Sequence, residues 1–219
     1  TRVANDFFRA LKPDELKDVK VLYIHAHGPG LLHTKKPVKS LEDLQGMKIR
    51  STGMSAKVTS ALGAVPVAMS QPQAYEALQK GVVEGTFTPI ETLKGWKQAE
   101  VIRYTTDCAD IGYTTAMFVV MNRTKWDALP SDVKSIFEEV SVEWIERHGD
   151  VWDEADTEGR DFTLAQGNKI ITLDNAENER WEKAVSPIID DYIKKATEKG
   201  LPGEEIIATL RENIAEAKK

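Results

Sequence analysis

The stretch GMKIRSTGMSAKV, residues 46–58, sets an arginine where one kind of backbone gives way to another. Met47 to Ser51 alternates as a strand should, and Met54, Val58, Ala61 and Leu62 then recur at helical spacing until Gly63 stops the run. Arg50 therefore sits at a strand-to-helix junction. A guanidinium offers a rigid fork of donors matched to a carboxylate. Ser51 and Thr52 add hydroxyls, and the N–H groups of a helix beginning near Gly53 favour the same anion. The plain structural alternative is an arginine that caps a helix end or pairs with Glu42, Asp43 or Glu84, and at this level both readings stay open.

Working outward, Val19 to Ile24 reads as a buried strand. The following HAHGPGLLHTKKPVKS, residues 25–40, reads as a loop punctuated by Gly28, Pro29, Gly30 and Pro37, and SLEDLQG as one capped turn. SQPQAYEALQKG is a helix with Ser70 and Gln73 as its capping box and Gly81 past its end. VVEGTFTP gives a strand and turn, Ile90 to Gln98 a short helix, and VIRYTTD and YTTAMFVVMN two more strands. From Ser131 an apolar period near 3.6 runs to about Gln166, longer than one small domain. NKIITL is a last strand. Asp174 with Glu177 opens a helix broken at Pro187, and Ile206, Ile207, Leu210 and Ile214 mark a terminal amphipathic helix. This alternation predicts an α/β fold with mostly parallel sheets. The absence of a linker, together with one overlong helix, predicts two lobes joined by several chain crossings. In such folds ligands bind beyond the carboxyl ends of strands or between lobes.

Composition narrows the function. Of 219 residues 41% are apolar, enough for a core, and the net charge of −6 is spread along the chain, which disfavours nucleic acid or an anionic membrane as partner. Cys108 is the single cysteine, so no intrachain disulfide forms. No apolar run reaches membrane-spanning length. The chain opens inside a helical pattern, so residues upstream of Thr1 are expected to be missing. His25 and His27 share a strand face, the geometry of a His-x-His metal site with His33 in loop reach, and a metal-dependent hydrolase is the enzyme alternative. The competing reading is polar loop histidines with one facing a cleft. No nucleophile elbow, dinucleotide turn or phosphate loop occurs, and no cofactor is implied. Phe87, Trp96, Tyr113 and Phe118 are pocket-lining or core residues.

Taken in order, SLEDLQGMKIRSTG, LGAVPVAMSQPQAYEALQKGVVEGTFTP and FVVMNRTKWDALPSDVK resemble the solute-binding subunits of tripartite ATP-independent periplasmic (TRAP) transporters, the DctP-like family. The shared positions are Gly46, Lys48 and Arg50; Gly63, Ala64, Pro66 and Met69; Tyr75, Ala77, Leu78, Gln79, Gly81, Val83 and Gly85; and Asn122, Trp126, Leu129 and Pro130. The resemblance implies a two-lobed clamp with a long bridging helix and no catalysis. Residues 1–27 and 116–155 would form a partial lobe one, lacking its amino-terminal part. Residues 28–115 and 156–219 would form lobe two, with the helix of about 131–166 shared. It implies that Arg50 binds the carboxylate of a small organic acid, and that the protein is periplasmic, a monomer, and a partner of TRAP membrane subunits. Hinges are expected near Gly28 and residues 113–118. The implied ligand residues are Arg50, Ser51, Thr52, His27, Gln71, Phe87, Thr88 and Tyr113, with no metal. Thr88 replaces the asparagine of sialic-acid-binding members, Gln71 aligns with their ligand-covering phenylalanine, and their second arginine has no counterpart in residues 28–31. A sialic acid is therefore disfavoured, with His27 or His33 as substitute donors. The aromatics favour an acid with an apolar or aromatic body.

Overall fold

The computed structural model describes residues 1–111 and 113–217. It is an α/β chain that divides into two compact units: residues 1–27, 115–153 and 193–219, and residues 28–114 and 154–192.

Unit one is built on a two-stranded antiparallel sheet of β1 (Val19–Ala26) and β7 (Ala116–Asn122). Helix α1 (Arg2–Leu11) packs on β1 through Asn5, which is 3% exposed. The Asn5 amide accepts from Ile24 N (2.9 Å) and donates to Ile24 O (2.5 Å), so a side chain continues the ladder beside β1. The expectation that residues 156–219 lie wholly in lobe two does not hold for the end of the chain: helix α10 (Gly203–Ala217) packs against α1 and belongs to unit one. An amphipathic stripe does not say which neighbour will cover it.

Unit two holds a mixed, mostly parallel six-stranded sheet. Its strands are β2 (Gly30–Thr34), β3 (Lys48–Ser51), β4 (Val65–Ala68), β5 (Gly85–Pro89), β6 (Tyr104–Asp107) and β8 (Lys169–Thr172), in the order β4-β3-β5-β2-β6-β8. Pairs β3–β4, β3–β5 and β6–β8 are parallel, and β2 runs antiparallel to both β5 and β6. Two of these strands were not expected. GLLHT reads as loop because Gly and Pro flank it, yet all of β2 is buried at the centre of the sheet. VPVA contains a proline, which an edge strand such as β4 tolerates.

Successive residues of a strand face opposite sides of the sheet. One side presents Leu32, Ile49 and Phe87 to a core completed by Leu44, Val58, Leu62 and Trp181 from the helices α2 (Leu41–Leu44), α3 (Gly53–Ala61) and α8 (Asn175–Val185). Glu177 fastens this layer, accepting from Leu41 N (2.7 Å) and from Trp181 Nε1 (2.9 Å). Leu31, Leu78, Val83, Ile90, Leu93 and Ile102 form a second core, reinforced by Phe162. They involve α4 (Gln71–Lys80), α5 (Glu91–Gly95) and the end of the long helix α7 (Ser131–Ala165), which runs from unit one into unit two. Chain breaks fall where punctuation placed them: Gly81 ends α4 at φ 74°, and α8 stops at Val185 before α9 (Pro187–Glu198).

Gly159 is buried on α7, and a Cβ there would lie 2.5 Å from Ile90 O and 2.8 Å from Glu91 Cα. The helix thus rests on the backbone that leads from β5 into α5. Gly159→Ala is expected to cost about 1–3 kcal/mol of unfolding free energy through this overpacking. Denaturant unfolding measures it, and an unchanged midpoint would contradict the close packing.

Candidate functional site

Arg50 stands near the carboxyl end of β3, where the three parallel strands β3, β4 and β5 lie side by side. The chain turns directly from β3 into α3 and, after Met69 and Ser70, from β4 into α4, so two helix starts flank the arginine. Both starts are capped locally. Ser55 Oγ accepts from Thr52 N (2.9 Å) and donates to Thr52 O (2.8 Å), while Gln73 Oε1 accepts from Ser70 N (3.1 Å) and Ser70 Oγ (2.8 Å).

The arginine is only 6% exposed, and its Nε donates to Met69 O at 3.1 Å. Among the described residues it has no carboxylate partner. The three acids named as its alternative partners are engaged elsewhere: Glu42 with Arg180, Asp43 with the backbone of Lys39 and Ser40, and Glu84 with Lys48 N. Burial pushes the guanidinium's pKa down, opposed only by charge interaction with Tyr113. An arginine nevertheless stays protonated. A charge taken out of water without a counter-ion is costly, and with Nε pinned, the paired η nitrogens remain to take an anion end-on.

Tyr113 completes the surroundings. Its hydroxyl donates to Phe87 O (2.8 Å) and its ring lies 5.4 Å from that of Phe87. A Cβ at Gly30 would fall 2.1 Å from the Tyr113 ring, so only glycine leaves room for it. Burial pushes the phenol up to about 12, against a hydrogen bond with Ser55 and the Arg50 charge. Gln71 opens α4 with its Nε2 shut from solvent and without an acceptor, as is the hydroxyl of Thr86. Each such orphan costs roughly 1–3 kcal/mol.

Register places Val67, Arg50, Thr86, His33 and Thr105 in one row across one face of the sheet. His33 is fully buried in that row: its Nδ1 lies 2.9 Å from Thr105 Oγ1 and its Nε2 3.1 Å from Thr88 O. A carbonyl only accepts, so Nε2 carries the proton and Nδ1 takes that of Thr105. Both ring nitrogens are spent, and His33 has none left to serve as a substitute donor to a ligand.

The structure separates the other expected residues. Phe87, 1% exposed, faces the opposite side of the sheet from Arg50 and belongs to the core, which corrects its reading as a pocket residue. Ser51 likewise alternates away from Arg50 and is fully buried, with Oγ 3.4 Å from Ile49 O. The Thr88 hydroxyl is taken by Thr92 Oγ1 at 2.9 Å, whereas Thr52 is exposed at the start of α3. His27 lies in unit one, where its Nε2 accepts from Thr115 N (3.2 Å) and its ring meets Trp152 edge-on. His25 stacks on His148 with ring centroids 3.9 Å apart, and its Nδ1 accepts from Trp152 Nε1. The His-x-His pair is thus part of an aromatic cluster, and among the described residues no group of three or more His, Cys, Asp or Glu side chains is arranged to hold a metal. Strand spacing missed Met69 O, Ser55 and Thr86. The Thr52-x-x-Ser55 spacing was the one available signal for Ser55.

The family profile of the bacterial extracellular solute-binding protein family 7, DctP, matches residues 4–195. The chain belongs to this family. It is 28% identical over 205 residues to the C4-dicarboxylate-binding periplasmic protein DctP of Rhodobacter capsulatus, covering 92% of this chain and 59% of that protein. Among solved structures, a TRAP solute binding protein from Rhodoferax ferrireducens in complex with copurified benzoate matches with TM-score 0.92 and 30% identity, over 98% of this chain and 69% of that one. A TRAP periplasmic solute binding protein from Bordetella bronchiseptica with bound (R)- and (S)-mandelate matches with TM-score 0.89 and 32% identity, over 99% and 70%. The chain spans about three fifths of the length of the curated relatives it matches, 59% and 61%. No helix among the described residues is long and apolar enough to cross a membrane.

His33 makes unit two sensitive to acid. Burial lowers its pKa from 6.5 to about 4. Between those values the unfolded chain binds more protons than the folded one, so stability is complete above about pH 6.5 and falls as pH drops toward 4. The expected loss is of order 3 kcal/mol, read from denaturant unfolding at stepped pH. His33→Gln should flatten this slope, and an equal slope in that variant would contradict the assignment.

Proposed function

We propose that this chain carries the ligand-holding site of a TRAP-type extracytoplasmic solute-binding protein, and that Arg50 forms a salt bridge with the carboxylate of a small organic acid. The observation that carries this reading is a buried guanidinium with no acid partner among the described residues, at the carboxyl ends of the parallel strands β3 and β4 and beside the start of β5. The η pair supplies two charge-assisted bonds, each worth about 1.5–3 kcal/mol net. The first peptide N–H groups of α3 add a favourable dipole. Tyr113 holds one wall in place, and its ring favours an acid with an apolar or aromatic body. The benzoate and mandelate held by the relatives from Rhodoferax ferrireducens and Bordetella bronchiseptica are acids of this kind.

In this reading the protein binds and releases its ligand unchanged, works in the periplasm as a monomer and delivers the acid to TRAP membrane subunits. Thr52 and His27 stay ligand-contact candidates. Lys57, on α3, is already paired with Asp191 (3.6 Å) and so is engaged rather than offered to a second carboxylate. A monocarboxylate fits the single unpaired arginine of this site better.

Calorimetric titration with benzoate tests the salt bridge. Arg50→Gln is expected to weaken binding at least a hundredfold, and Arg50→Lys, which keeps charge but not the fork, by about tenfold or more. Unchanged affinity in Arg50→Gln would refute the reading.

A further inference from the structure

We propose that the end of the unit-two sheet at which β3, β4, β5 and β6 begin is a docking face for an acidic helix of a partner protein. Two residues along each strand from the row of Val67, Arg50, Thr86, His33 and Thr105, on the same side of the pleat, lies a second row: Val65, Lys48, Glu84, Lys35 and Arg103. Backbone hydrogen bonds carry the pairing into this row. Glu84 N donates to Lys48 O (2.8 Å), Lys35 N to Glu84 O (3.1 Å) and Arg103 N to Thr34 O (2.9 Å). Across the strands the order is therefore apolar, positive, negative, positive, positive. Val65 is 46% exposed, Lys48 and Arg103 are exposed, and Glu84 and Lys35 are partly so.

Lys48, Lys35 and Arg103 form no ion pair among the described residues, although the chain carries 35 acidic residues against 29 lysines and arginines. Lys35 and Arg103 are neighbours on adjacent strands, and like charges so placed repel. Arg103 is held in position, because its Nη1 donates to Glu100 O (3.2 Å) and Ile102 O (2.7 Å). Glu84 is held too, its Oε2 accepting from Lys48 N at 3.2 Å. The repulsion is unrelieved within the chain, and an incoming carboxylate relieves it. Neighbouring strands lie about 4.8 Å apart, close to the roughly 5.4 Å pitch of an α-helix. A helix laid across the strand ends thus presents one side chain to each strand. Over the four intervals from β4 to β6 the two spacings drift apart by only about 2.4 Å, within reach of Lys and Arg side chains. The complementary helix reads apolar, acid, base, acid, acid at one-turn steps. A lipid surface carries one sign of charge and has nothing to offer Glu84, so the pattern selects a protein partner.

The test titrates the full chain, by fluorescence anisotropy, into two labelled alanine-rich helical peptides of equal composition. One carries Leu, Glu, Lys, Glu and Glu at one-turn steps; the other has the same five residues scattered round the helix. The matched peptide should bind about tenfold more tightly or better, and its advantage should shrink as salt is raised. Reversing both neighbouring cations, Lys35→Glu with Arg103→Glu, should weaken it about tenfold or more, and Lys48→Gln alone about threefold, with the denaturant midpoint unchanged. Glu84→Gln should remove the preference for the peptide's lysine over a glutamate in its place. Equal binding of the two peptides, or binding that ignores both the reversals and Lys48→Gln, overturns the proposal. Displacement of the matched peptide by vesicles of phosphatidylcholine and phosphatidylglycerol, but not by phosphatidylcholine alone, overturns the protein partner in favour of a lipid surface.

Discussion

A buried positive charge without a counter-ion is the constraint to which the rest of unit two answers. Arg50 keeps its proton, and among the described residues no carboxylate pairs with it, although Glu42, Asp43 and Glu84 are all near in sequence. Each of those acids serves a local purpose: an ion pair, the amino terminus of α2, the start of β3. What the chain does supply is orientation. Met69 O takes Nε, two capped helices begin beside it, and β3 and β4 end together, so the guanidinium is held while its outer edge keeps its hydrogen-bonding capacity.

The pleat gives the two faces of the sheet different neighbours, and the second core around Leu31 and Val67 shares the face of Arg50. On one face, Leu32, Ile49 and Phe87 close an apolar core with Trp181 at its edge. On the other runs the row of Arg50, Thr86, His33 and Thr105, whose polar groups are joined to one another or left waiting. His33 ties the middle of that row to the strand β5 that carries Thr86 and Thr88. Rigid neighbours matter for binding, because a receptor arranged before the ligand arrives loses less entropy when it binds.

Much of this was readable in the residues. Gly and Pro positions gave the ends of α4 and α8, the 3.6 period gave α7 to within a residue, and the Arg50 junction was visible from the change of period at Ser51. What failed has a common cause: spacing along one strand says nothing about its partners. GLLHT became a central strand because β5 and β6 flank it, and α10 joined unit one because α1 offered a surface. Phe87 and Ser51 looked like ligand residues beside Arg50 and Thr88, yet alternation sends both to the far face. The orphaned amide of Gln71 could not be seen at all without knowing which acceptors surround it. The family motifs located Arg50, but they carry no information on hydrogen bonds made by residues that depart from the pattern.

The most direct measurement is of the guanidinium itself. Nitrogen-15 spectra of the arginine side chains, recorded as benzoate is added, report whether the η nitrogens of Arg50 gain a partner. The account predicts one saturating shift, assigned to Arg50 by its loss in Arg50→Gln, with the other arginines unmoved. Spectra in which the Arg50 signals stay still while bound acid is detected by calorimetry would contradict it.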